Sequence, residues 1–195
     1  MYIVKKLTIF LFSLFCVTLA HASAGEPYNY YVPAPDRLLE NVEKYHLQQG
    51  IDKIKKGQFE YAWSEFAFML HYFPNHPIAL QHISSLAMQV EKNSRAQKYF
   101  DRAIKLYPQE SATYALYGIF MHKIENYHEA VALYQQAISI DNSPAEYHYN
   151  LGLSYLALQQ YDQAYQSAQK AYNLGYPLPG LKNQLVAEGA WKSKA

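Results

Sequence analysis

A 34-residue pattern recurs through this chain four times with no insertion between copies, so the fold must be one that grows by stacking a short unit. Its clearest copy, 145–178, holds His148-x-x-Leu151-Gly152-x-x-Tyr155, then Ala164, Ala168 and Ala171, then the turn residues Gly175 and Pro177. One period earlier at a time, Gly118, Ser84 and Gly50 align with Gly152, and Ala130, Ala96 and Ala62 align with Ala164. Phe66, Phe100 and Tyr134 form an aromatic column four residues after those alanines. Ala103 and Ala137 align with Ala171, and Pro74 and Pro108 close the first two units. Small residues in two columns let antiparallel helices approach closely, and extra methylenes there would cost roughly 1–3 kcal/mol through overpacking. The pattern predicts a close approach at which Gly152 faces Ala164.

This spacing resembles the tetratricopeptide repeat, whose W-x2-L-G-x2-Y, A-x3-F and P positions it matches. The resemblance implies an all-α fold, a right-handed α-solenoid of four helical hairpins at 43–76, 77–110, 111–144 and 145–178. Beyond the last unit, Gly175 reads as a helix C-cap, and Pro177 and Pro179 stop the helix from continuing. Leu181 and Leu185 lie one turn apart and mark a capping helix within 179–195, which would cover the apolar end that a terminal repeat exposes. Trp191 joins them, and 192–195 reads as a tail.

Residues 1–24 read as a secretory signal peptide, with Lys5 and Lys6 ahead of an apolar run at 7–20 and a small-residue site at Ala22-Ser23-Ala24. Ala20-His21-Ala22 offers a second cleavage site. The run falls short of the ~20 residues of a membrane-spanning helix, so the mature chain is expected to carry no membrane span. Cys16 would leave with the signal, and the bulky Leu14 and Phe15 before it do not fit a lipidation motif. With no other cysteine, the mature chain has no disulfide, thiol nucleophile or thiolate metal site. Removing Lys5 and Lys6 from 17 basic residues against 16 acidic ones gives a formal charge of −1, without the basic stripe that nucleic-acid binding needs. Residues 25–42 form a Tyr- and Pro-rich extension with Pro27, Pro33 and Pro35, extended at first. Asp36 is placed to cap the first helix.

No phosphate-binding glycine loop, zinc-protease motif, nucleophile elbow or cysteine nucleophile is present, so no catalytic residue and no cofactor are assigned. His46, His71, His76, His82, His122, His128 and His148 share no ligand spacing, which argues against a metal site. His46 and His148 fall where the family often has tryptophan, so packing accounts for them.

In the family that this chain resembles, function resides in a concave groove lined by the first helix of each repeat. One helical stripe there gives Leu47, Ile51 and Ile54, then Gln81, Ser85 and Met88, then Ala115, Ile119 and His122, then Tyr149, Leu153 and Leu156. Lys44, Ile78, Ala112 and Glu146 extend it. Family members that hold a chaperone carboxylate place lysine, asparagine and arginine here. Leu47, Ile51 and Glu146 stand in their way. The stripe suits an amphipathic helix or apolar peptide, from a partner, from the chain's own N-terminal segment or from a second copy in a homo-oligomer. The resemblance implies a non-enzymatic, exported scaffold of the periplasm. The competing reading is a glycan- or small-ligand-binding solenoid using Tyr147, Tyr149, Tyr161 and Tyr165. In the first repeat, Tyr61, Phe68 and Tyr72 form a second apolar stripe on the helix at 59–73, and the segment 27–35, or failing that a second subunit, is expected to cover it.

Overall fold

The computed structural model of the chain describes residues 26–35 and 37–191. The predicted signal peptide, Cys16, the Asp36 cap and the tail at 192–195 lie outside the described residues. Helix α1 (Leu38–Val42), a π-helical turn (Glu43–Leu47) and α2 (Gln48–Lys55) run on as the first arm, and α3 (Phe59–Tyr72) returns against it. Three further hairpins follow: α4 (Pro77–Gln89) with α5 (Asn93–Leu106), α6 (Ser111–Lys123) with α7 (Tyr127–Ile140), and α8 (Ala145–Ala157) with α9 (Tyr161–Asn173). The short α10 (Gly180–Ala187) closes the stack, and the described residues contain no strand. The fold is an all-α solenoid with a C-terminal cap, as the repeat predicts.

The turn inside each hairpin uses one solution. Gly57, Glu91, Glu125 and Gln159, spaced at the repeat period, adopt left-handed φ values of 69°, 55°, 64° and 58°. The amide that follows each reaches back to the preceding helix: Gln58 to the Lys53 carbonyl, Lys92 to Ala87, Asn126 to Met121 and Gln160 to Tyr155, all at 2.8–2.9 Å. These bonds pair carbonyls that the end of a helix leaves bare. Only the first copy has the residue type that enters this region without a steric penalty.

The glycine column works differently from the expectation. A Cβ at Gly50 would lie 2.5 Å from the Phe66 ring, and one at Gly118 would lie 2.9 Å from Tyr134. These glycines therefore make room for the aromatic column, not for the alanines. In the fourth unit Ala168 occupies the aromatic place, and Leu181 from α10 fills the gap. A Cβ on Gly152 would meet the Leu181 side chain at 2.5 Å, while the Ala164 carbonyl stands 3.3 Å away. Leu181 and Leu185 are fully buried with Ala164, Ala168 and Ala171. The cap completes a core layer that the repeat itself leaves short.

The N-terminal segment is a strap across the turns between repeats. Tyr28 donates its N–H to the Tyr72 carbonyl at 2.7 Å, and the Tyr107 hydroxyl donates to the Pro27 carbonyl at 2.6 Å. Buried Asn75 accepts from the Tyr30 N–H at 2.9 Å and donates to the Asn29 side chain at 2.7 Å. Asn29 in turn donates to Glu110 at 2.5 Å. The Tyr28 ring packs on Phe73 and the Tyr30 ring on His76, with centroids 5.9 and 4.6 Å apart. The strap thus joins the turn between the first two hairpins to the next turn along.

It does not cover the second apolar stripe. Tyr61 and Phe68 remain 53% and 40% exposed, while Tyr72 is half-buried and its carbonyl accepts from Tyr28 of the strap. The competing partner is the strong polar anchor Asn75, which sequence periodicity does not reveal. Lys53 sits 4.0 Å over the Tyr61 ring, and His46 stacks on Phe68 at 4.0 Å. The π-helical turn aims His46 at Glu65, 2.7 Å away, and Glu43 at His76, 3.1 Å away. Because the His76 Nδ1 accepts the Ala79 N–H at 3.3 Å, the proton resides on Nε2 and is donated to Glu43. Buried His76 is therefore a neutral N-cap of α4, with its pKa lowered by burial against the opposing pull of Glu43.

Candidate partner-binding groove

Helices α4, α6 and α8, the first arms of successive hairpins, form one face. A cavity of about 340 Å³ lies between α4 and α6, walled by Gln81, Ser85, Leu116, Ile119 and Lys123, with Ser84, Phe100 and Phe120 at its base. A second of about 190 Å³ shares Leu116 and Ile119 and adds Ala112, Ala115, Pro77, Glu146, Tyr147, Asn150 and Tyr31 from the strap. The two cavities adjoin at Leu116 and Ile119, which give this face an apolar centre. A third opening of about 640 Å³ brings His122, Leu153 and Leu156 beside Tyr161, Gln184 of α10 and its C-cap Glu188.

The stripe read from the sequence is thus divided. Gln81, Ser85, Ala115 and Ile119 line the groove, while His122, Leu153 and Leu156 line the neighbouring opening. Leu47, Ile51, Ile54 and Met88 pack half-buried against the main core. Tyr149 is only 8% exposed, because its hydroxyl accepts the Leu181 N–H at 3.2 Å and its ring stacks on Tyr176 at 4.1 Å. The capping helix therefore takes Tyr149 out of the groove. Periodicity missed Leu116, Lys123 and Asn150, which occupy the sixth and thirteenth places of the unit. A stripe widened to i, i+3 and i+4 would have included them. Nothing in the repeat pattern pointed to Tyr31.

Charge on this face is sparse. Lys123 and Glu146 stand at opposite ends of the groove, and neither has an ion-pair partner among the described residues. Tyr31 keeps 42% of its surface exposed, and the desolvation of its inner part, with the nearby Tyr147 and Glu110 adding to it, raises its phenol above the ordinary value. Burial likewise raises Tyr147 and lowers His122, whose Nδ1 lies 2.9 Å from the Ser154 hydroxyl. At neutral pH all three are uncharged. Among the described residues, no group of three or more His, Cys, Asp or Glu side chains is placed to hold a metal ion. No described helix is long and apolar enough to cross a membrane.

The tyrosines proposed for stacking on glycan are mostly unavailable. Tyr147 and Tyr149 are buried, the Tyr161 hydroxyl donates to Glu188 at 3.2 Å, and the Tyr165 ring meets Trp191 edge-on. Tyr149, Tyr161 and Tyr165 are absorbed by the junction of the last repeat with its cap, and Tyr147 packs in the main core with its hydroxyl 3.3 Å from that of Ser111.

Hairpins that recur at one period, with the first arms α4, α6 and α8 on a common face, define a helical-repeat protein. Models of the tetratricopeptide repeat match residues 78–110 and 145–174, and a TPR-repeat model matches 121–159. The chain therefore carries tetratricopeptide repeats within 78–110 and 121–174. It is 29% identical over 90 residues to the TPR repeat-containing protein YpiA of Bacillus subtilis (strain 168), covering 46% of this chain and 21% of that one. This chain therefore matches about a fifth of that relative's length. Among solved structures it is similar to PilF of Pseudomonas aeruginosa, with 18% identity, a TM-score of 0.59, and coverage of 77% of this chain and 71% of that one. It is similar also to MamA of Desulfovibrio magneticus RS-1, with 21% identity, a TM-score of 0.56, and coverage of 77% and 87%. At these identities the likeness establishes the fold.

Proposed function

We propose that this chain is an exported, non-enzymatic scaffold that holds a protein partner in the bacterial periplasm, in work such as pilus, secretion or envelope assembly. The observation that carries the reading is the groove between Ser85 and Tyr147, apolar at Leu116, Ile119 and Phe120 and left open by the capping helix. Its partner is a segment of protein, a helix or an extended peptide, that lays apolar side chains into the groove. Replacing Ile119 and Leu153 together with glutamate puts charge into the groove and the adjoining opening without touching a fully buried position. Partner capture from an envelope extract is then lost while the helical circular dichroism is kept. Unchanged capture would remove this face from consideration.

Export rests on the charged start, apolar run and small-residue site of residues 1–24. Intact-mass measurement on protein recovered from the envelope tests it. A mass beginning at Gly25 supports the reading, and one that retains residues 1–24 or a lipid on Cys16 defeats it.

A further inference from the structure

We propose that the cavity beneath Tyr31 receives a basic side chain, lysine or arginine, of the partner segment, so that the scaffold selects an apolar and cationic sequence. The inference rests on the groove reading above and specifies its chemistry. The cavity has an apolar floor, Ala112, Ala115 and Ile119, and a rim bearing Glu146, Asn150 and Tyr31, with no lysine or arginine among its walls. Within the described residues, no hydrogen bond or ion pair engages the Glu146 carboxylate, the Asn150 side-chain amide or the Tyr31 hydroxyl. Three side chains that carry free oxygen acceptors thus line one small cavity.

A long basic side chain uses each part of this arrangement. Its methylenes lie on the alanine floor while the charged head stays at the rim, as such side chains do on apolar surfaces. An ammonium or guanidinium offers only donors, and the carboxylate, the amide oxygen and the phenol oxygen accept them. The tyrosine face adds attraction for a cation. An acidic side chain would meet Glu146 with no counter-charge in the walls. A neutral aliphatic one would leave the rim oxygens unpaired.

Tyr31 is presented to the cavity by a built support. Its N–H donates to the Asn29 side chain at 3.0 Å, and Asn29 is itself clamped between Asn75 and Glu110. The strap therefore supplies one wall of a site whose other walls come from α4, α6 and α8. With its pKa raised above the ordinary value, the phenol remains protonated and neutral through the physiological range.

The test compares Nα-acetyl-lysine methylamide with Nα-acetyl-norleucine methylamide, which has the same stem without the charge, by titration into the isotope-labelled full chain followed by backbone amide shifts. The lysine probe should perturb Ala112, Ala115 and Tyr31 and bind roughly fivefold more tightly than norleucine. That preference should vanish in Glu146→Gln, an exposed position whose replacement leaves packing untouched. Tyr31→Ala, as a second variant, should also reduce it. Equal binding of the two probes around Leu116 and Ile119 would overturn the basic-pocket assignment and leave the apolar groove standing. Failure of both probes to perturb this face would overturn both readings. A lysine preference that survives Glu146→Gln would overturn the assignment as well.

Discussion

Gly118 lies against the face of Tyr134, so close that a methyl on its Cα would stand 2.9 Å from the ring carbons. The ring is fully buried and has nowhere to retreat. In Gly118→Ala two effects oppose each other: alanine gains about 1 kcal/mol of helix propensity, and overpacking costs roughly 1–3 kcal/mol. Overpacking prevails at a rigid wall. The variant should lose on the order of 1 kcal/mol in urea unfolding, with an unchanged slope.

The hairpin turns invite the opposite substitution. Glu125 is exposed and holds φ at 64°, in the place that Gly57 fills in the first repeat. Glu125→Gly should raise stability by about 0.5–1 kcal/mol, since the relieved left-handed strain of about 1–2 kcal/mol exceeds the added freedom of the unfolded chain. Thermal unfolding of this variant beside Glu91→Gly would check that the two turns behave alike.

Asn75 secures the strap from inside the core. In Asn75→Ala, the Tyr30 N–H and the Asn29 side chain both lose a partner that is entirely buried. A loss of about 1–3 kcal/mol follows. The specific signature is hydrogen exchange: the Tyr28 and Tyr30 amides should lose protection well before those of α6.

Acidification should weaken the fold. His76, His82 and His122 all have pKa values lowered by burial, in the first case against Glu43. The ordinary histidine value is about 6.5, so as pH falls through that value the unfolded chain takes up protons that the folded chain still refuses. Stability therefore drops between about pH 7 and the lower folded values and levels off beneath them. Denaturant titrations at neutral and mildly acid pH should show this drop, and His82→Phe should reduce it.

The hairpins were legible in the sequence because small, aromatic and turn residues recur at one spacing, and spacing is what sets which side chains meet on stacked helices. The capping helix was legible for a related reason: Leu181 and Leu185 show the one-turn interval of a buried stripe. What the glycines face was not. Gly118 and Ala130 share a hairpin, but the closest approach is to the Tyr134 ring, and side-chain direction is not carried by column alignment. That the segment 27–35 folds back was legible, but its seat was not, because its anchor, Asn75, is a polar residue in a turn, where burial depends on what folds over it. Tyr149 was assigned to the groove from its column, whereas the column cannot show that the last repeat has a cap in place of a next neighbour.

That cap gives the stack two unlike ends. One is closed by Leu181 and Leu185, and the other shows Tyr45, Tyr61 and Phe68 exposed on the first repeat. Two copies meeting through this aromatic surface of the first repeat would present the same face to each other, leaving the ends closed by Leu181 and Leu185 outside. Association by this route stops at a pair related by a two-fold axis and cannot extend into a filament.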